Sequence, residues 1–294
     1  MQHVKPIARQ QHGSLGLLRY VVADIESSRP GETIIWVDRF GTLLISRTLD
    51  DRGRGYSLRL ADQVRVYVID GKPALIESAP GVTQATIDHF LDDQVLPRVI
   101  SGSGTFVLHA AAIVIGGAAI LLQGDSGRGK STLSASFHQQ GFRLLGDDAV
   151  ILEPVAGILS VAAVYPSLRL LPDALRSLFP GDQPAHRVSQ NSDKHSVEFA
   201  PEGGDEGRPV PIAAAFILSG EDAPDPVLRR LGQADACMEL VKNSFSIDPG
   251  NADMAQRKLD FAATISEQVP MYDIAYPRDF ARLRDVTSAL IDVL

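Results

Sequence analysis

The run Gly124-Asp125-Ser126-Gly127-Arg128-Gly129-Lys130-Ser131, followed by Thr132, constrains this chain more than any other stretch. Its glycines let the backbone curl until successive N–H groups face one anion. Lys130 and Ser131 then stand where the pattern G-x-x-x-x-G-K-[ST] places an ammonium for the β/γ-phosphates and a hydroxyl for Mg²⁺. The pattern has meaning only between a strand and a helix. Ala118–Leu122 is apolar enough for a buried strand, and residues 131–140 have helical spacing that Gly141 stops. The sequence therefore predicts nucleotide binding by Gly124, Asp125, Ser126, Gly127, Arg128, Gly129, Lys130, Ser131 and Thr132, with the dipole of the following helix adding to the loop.

The next informative run is Phe142–Leu145, Gly146, Asp147 and Asp148, leading into the apolar residues 149–152. Two adjacent carboxylates in an apolar run repel and need a cation or a proton between them. Asp50-Asp51 and Asp92-Asp93 show that the dipeptide alone means little. What distinguishes Asp147-Asp148 is its place one helix after Lys130, on a strand expected to return beside the loop.

Upstream, residues 1–83 read as a small β-rich accessory domain and 84–294 as the catalytic domain. Thr33–Val37, Thr42–Ile45, Tyr56–Leu60, Val64–Ile69 and Ala74–Ile76 have strand composition, with Asp70-Gly71 as a hairpin signal. Residues 84–99 have helical spacing, Thr83 is the expected N-cap, and Pro97 is expected to break the helix. Residues 106–122 are almost entirely apolar, but His109 and Gly116-Gly117 divide them, so they predict two buried strands rather than a membrane span. Residues 179–209, rich in Gly, Pro, Asp and Ser, predict a long loop or lid carrying Lys194. A strand over 213–218, helices over 234–243 and 251–266, and a C-terminal helix over 279–293 complete the expected elements.

Composition narrows the partners. A net charge of −8 and no basic tract argue against nucleic acid. The single cysteine, Cys237, suits a reducing compartment and a buried apolar role. Residues 1–14 lack the apolar core of a signal peptide. The expectation is a cytoplasmic protein that does not enter the membrane; a homo-oligomer is compatible with this.

Three features, in this order and spacing, resemble the HPr serine kinase/phosphorylase family: His109-Ala110, the glycine-rich loop, and Leu144-Leu145-Gly146-Asp147-Asp148. The runs Tyr165–Leu170, Val210–Ile212 and Val269–Tyr272 are similar to the stand-alone relatives encoded in lasso-peptide clusters, which phosphorylate a precursor peptide at its C-terminal serine. The resemblance implies an α/β fold: a P-loop kinase core of the HPr kinase and phosphoenolpyruvate carboxykinase type, a mixed sheet with flanking helices, beside the N-terminal β domain. It implies ATP and Mg²⁺, and an acceptor serine on a peptide or small protein. His109 and one of Asp147/Asp148 would prepare the acceptor hydroxyl, and the other aspartate would join Ser131 on the metal. Arg169 falls where the family carries Glu-Arg-Gly, but the glutamate is missing, which predicts a kinase with little reverse phosphorylase activity. Two alternatives stay open: a kinase of small-molecule hydroxyls, and a regulatory ATPase with no acceptor.

Overall fold

The computed structural model describes residues 19–23, 25, 29–50, 53–181, 184–190, 192–197 and 208–294. Readings that fall on residues 1–14, on Asp51 and on 182–183, 191 and 198–207 of the proposed 179–209 lid lie outside them. The chain divides into two compact units. One comprises the described residues of Met1–Gly104, Ser189–Asn191 and Ser246–Gln256, the other those of Thr105–Val188, Ser192–Phe245 and Arg257–Leu294.

The first unit is built on strands β1 (Arg19–Val22), β2 (Glu32–Val37), β3 (Leu43–Asp50), β4 (Gly53–Leu60), β5 (Val64–Ile69) and β6 (Leu75–Ser78). They form one sheet in the order β1-β6-β5-β4-β3-β2, antiparallel except for β1 on β6. Period-two alternation turns Ile45, Leu58, Val64, Val66 and Ile76 to one face, where Ile87, Phe90, Leu91 and Val95 cover them. Those covering residues come from helix α1 (Gln84–Phe90), a wider π-type turn over Leu91–Val95, and helix α2 (Leu96–Gly102). Thr83 caps α1 through its hydroxyl, as its sequence predicts. Pro97 does not end the helical run: it stands in the first turn of α2, directly after the wider turn, and the chain stays helical to Gly102. The unit runs on past residue 83 to Gly104, since the apolar stripe of these helices completes the sheet's core.

Ser246–Gln256 also belongs to this unit, although it lies far along the chain. Arg47 donates to Asp248 through Nε at 2.7 Å and Nη2 at 2.8 Å, and the Tyr56 hydroxyl adds a bond of 3.1 Å. Asp248 is almost fully buried.

The second unit contains β7 (Phe106–Leu108), β8 (Ala111–Ile115), β9 (Ala118–Gln123), α3 (Lys130–Gln139), β10 (Arg143–Gly146), β11 (Val150–Val155), β12 (Ile158–Ala163), β13 (Arg169–Leu170), α4 (Pro172–Leu178), β14 (Ala185–Arg187), β15 (His195–Val197), β16 (Val210–Leu218), β17 (Val227–Arg230), α5 (Gln233–Lys242), most of α6 (Ala252–Gln268), β18 (Met271–Ala275) and α7 (Leu283–Ile291). Its main sheet runs β10-β8-β9-β16-β12-β11-β7, with β18 on β16 and β17 on β18. The pairings of β16 with β9 and β18 are parallel and the others antiparallel, so the sheet is mixed.

Both faces of that sheet are covered, which is why β9 and β16 read as unbroken apolar runs. Ile120, Leu122, Ala214 and Phe216 pack with Leu133 and Phe137 of α3 and Val286 and Leu290 of α7. Ala119, Leu121, Ala215 and Ile217 pack on the opposite face with Leu240 of α5 and Ile265 of α6, where Cys237 is a buried apolar residue as expected.

The structure amends several local expectations. Residues 106–122 make three strands, and His109 lies between β7 and β8. The strand before the aspartates, β10, pairs with β8 rather than with the loop strand β9. The segment read as a loop over 179–209 contains, in its described residues, the hairpin β14–β15, which pairs with β13. Among the described residues no helix is long and apolar enough to cross a membrane.

Candidate active site

All of the site described below lies in the second unit. Strand β9 ends at Gln123, and the glycine-rich loop carries the chain to α3, whose first residue is Lys130. Gly129 caps that helix at φ +98°, and a Cβ there would lie 2.3 Å from the Tyr276 hydroxyl, so only glycine fits. Tyr276 donates to the Arg128 carbonyl at 2.8 Å and Arg278 to the same oxygen at 2.6 Å, which fixes the loop from the end of β18. The Lys130 ammonium folds back to donate to Gly124 O at 2.6 Å. Burial pushes its pKa down, the carboxylate of Asp148 opposes that shift, and the charge of Lys194 adds to it.

At the end of β10 a Cβ on Gly146 would come within 2.9 Å of the Tyr165 carbonyl, so glycine allows the 165–169 segment to pass close to the aspartates. Asp147 is fully buried: Oδ1 accepts from the Ser167 hydroxyl at 2.7 Å and Oδ2 from the Arg169 N–H at 3.0 Å. Burial, and next the charge of Asp148, push its pKa up to about 7, against the pull of those two hydrogen bonds. Asp148 instead faces a cavity, with Oδ2 3.1 Å from Arg169 Nη1. The Arg169 guanidinium also lies 5.4 Å from the centre of the Tyr165 ring.

The cavity encloses about 320 Å³, small for a nucleotide-sized site but within the usual range of ligand pockets. Of the residues picked from the sequence, His109, Ser126, Gly127, Gly129, Lys130, Ser131, Thr132, Asp148 and Arg169 line it together. His109 is held by its backbone N–H, which donates to Asn243 O at 2.8 Å, and its ring tilts against Phe245. Asp147 is not on the wall, and its oxygens face Ser167 and Arg169, so two aspartates that look equivalent in sequence differ in structure. Gly124 enters through the carbonyl that holds Lys130. Asp125 is exposed and pairs with Lys242 at 3.7 Å, and the Arg128 side chain lies against Gly220 rather than on the cavity wall.

Sequence reasoning missed further lining residues, among them Leu171, Ala174, Tyr276, Arg278 and Phe280. No local spacing marks Tyr276 as anything but a core tyrosine. Its position follows from the parallel pairing of β18 with β16, itself parallel to β9.

The donor set suits a nucleotide carrying its own magnesium: a loop whose Gly124 and Gly129 leave no room for a Cβ, an ammonium, the Ser131 hydroxyl and, beside them, the carboxylate of Asp148. Among the described residues there is no cluster of three or more His, Cys, Asp or Glu able to cage a metal. A magnesium ion bound largely through phosphates and water needs no such cage.

No protein-family model matches the chain. A curated protein of Oceanobacillus iheyensis, "Putative HPr kinase/phosphorylase 2", is 27% identical to it over 106 residues. That match takes in 36% of this chain and 31% of the relative, so the chain spans about a third of the relative's length. Among solved structures, the HPr(Ser) kinase/phosphatase from Coxiella burnetii superposes with a TM-score of 0.32 at 14% identity, over 64% of this chain and 97% of that one. So loose a superposition assigns no fold. The sequence match agrees with the resemblance carried by the loop and the aspartate pair: in sequence, this chain is HPr kinase-like.

Proposed function

We propose that this chain is an ATP- and Mg²⁺-dependent kinase with a P-loop core of the HPr kinase type. It transfers the γ-phosphoryl group to a serine hydroxyl of a peptide or small protein, and the acceptor we favour is the C-terminal serine of a lasso-peptide precursor. One observation carries this reading: the glycine-rich loop with Lys130 and the carboxylate of Asp148 face a single cavity. The loop supplies anion-binding N–H groups, and the carboxylate supplies a proton acceptor.

The loop N–H groups and Lys130 would hold the β- and γ-phosphates. Ser131 would hold Mg²⁺, which supplies neutralisation of phosphoryl charge. Asp148 accepts the serine proton late in transfer, oriented by Arg169 at 3.1 Å, with His109 beside it on the wall. Asp147 is a positioning residue: it ties the backbone of Arg169 and the Ser167 hydroxyl in place behind Asp148.

Transfer of label from γ-labelled ATP to a peptide ending in serine tests the reading, with Lys130→Ala as the control that should abolish it. ATP hydrolysis without transfer to peptide or metabolite would favour the regulatory ATPase. Transfer to a small hydroxyl compound but not to peptide would move the acceptor class. Because the glutamate of Glu-Arg-Gly is absent beside Arg169, phosphorylated product incubated with Mg²⁺ and phosphate should release no pyrophosphate.

A further inference from the structure

Lys130, Arg169, Lys194 and Arg278 line the cavity together with the carboxylates of Asp148, Asp173 and Asp279, and three of the four cations have a partner for their head group. Lys130 donates to Gly124 O, Arg169 pairs with Asp148, and Arg278 donates to Arg128 O. Lys194 is the exception. It is half-buried and lines the cavity, and among the described residues its ammonium has no carboxylate within ion-pair distance. Its backbone is firmly placed: the N–H donates to Ser192 Oγ at 3.2 Å, and its carbonyl accepts from Val188 N at 3.0 Å. The next residue, His195, pairs with Leu170, one position along from Arg169 on β13. Hairpin β14–β15 thus delivers an ammonium to the part of the cavity that holds Arg169 and Asp148. It lies near enough to Lys130 for the two like charges to act on one another. Two ammonium groups sharing a half-enclosed site repel, and an oxyanion between them removes the penalty.

We propose that Lys194 is an anion-binding residue of this site and seats an oxyanion beyond the one held by the glycine-rich loop. The proposal rests on the nucleotide reading above. The oxyanion has two sources of the same chemistry, the terminal phosphate of a nucleoside triphosphate or an anionic group of the acceptor. Inorganic phosphate serves as the probe for the second.

The experiment measures affinities for Mg-ATP, for Mg-ADP, and for inorganic phosphate on the ADP-loaded protein. These are compared in wild type, Lys194→Met and Lys194→Arg. If the seat takes the terminal phosphate, Lys194→Met loses about tenfold to a hundredfold in affinity for ATP and none for ADP. If it takes an acceptor group, both nucleotides bind as in wild type, and phosphate binding to the ADP-loaded protein falls by a similar factor. Lys194→Arg retains most of the affinity in either case. Unchanged affinities for all three ligands in Lys194→Met would overturn the proposal while leaving the nucleotide site standing. A wild-type protein that binds neither nucleotide would overturn the reading beneath it.

Discussion

The two units treat a buried carboxylate in opposite ways. In the first, Asp248 receives two bonds from one guanidinium and a third from Tyr56, and its pKa falls below the ordinary carboxylate value. Burial pushes the other way, but the Arg47 and Tyr56 bonds outweigh it. In the second, Asp147 and Asp148 stand side by side, the Arg169 guanidinium pairs with Asp148, its backbone N–H donates to Asp147, and Asp147 is pushed up to about 7. A carboxylate whose oxygens are all satisfied fastens a distant segment to a sheet. A carboxylate buried beside a second one, with its pKa raised by burial and by that neighbour, is the usual condition of a working site.

If that contrast is sound, Asp148→Asn should have the largest effect on activity after the loss of Lys130. Phosphotransfer should fall by about a hundredfold to ten-thousandfold with the fold intact, measured as initial rate against circular dichroism melting. Wild-type turnover in that variant would place the base elsewhere.

Gly129→Ala should come next. The added Cβ meets the Tyr276 hydroxyl in a left-handed backbone position that costs an L-residue roughly 1–2 kcal/mol. Nucleotide affinity should therefore drop by about tenfold, read by calorimetry. Unaltered affinity would mean that the latch on the loop does not matter.

Asp147→Asn sharpens the comparison within the pair. It keeps an acceptor for Ser167 or Arg169 but loses the charge, so it should reduce the rate less than Asp148→Asn and leave Mg-ATP affinity nearly unchanged. Equal loss of nucleotide affinity in the two variants would make them a metal pair instead.

The smallest effect on activity belongs to Arg47→Gln, which should leave phosphotransfer untouched and lower the melting temperature. A carboxylate whose folded pKa is depressed contributes stability above its unfolded value of 3.8 and loses it as pH falls through the folded value. Wild type should therefore lose stability on acidification below about pH 4, and the variant should lose less there. Parallel melting-temperature curves for the two proteins would refute the staple.

Much of this was legible locally. The loop announced itself because a phosphate cradle needs glycines, a lysine and a hydroxyl at fixed spacing. Alternating residues in Val64–Ile69 and the hairpin signal at Asp70-Gly71 gave the first sheet its strands for a similar reason: the period of a strand is written in the chain. Pro97 misled because proline is a helix breaker everywhere except the first turn, and where a new helix begins after a wide turn depends on packing.

What the sequence by itself determined, then, are features whose physics spans a few residues: the loop, the apolar strands behind it, the caps and the turns. Tertiary structure decided what depends on residues far apart in the chain. It separated Asp147 from Asp148, because only one of two neighbours on an extended segment can face the cavity while Ser167 and Arg169 engage the other. It brought Asp248 to Arg47, and Tyr276 to the loop through two parallel strand pairings. Burial sets the cost of a charge, and burial is a property of the packed chain, so the raised pKa of Asp147 and the unpaired ammonium of Lys194 among the described residues could be read only there.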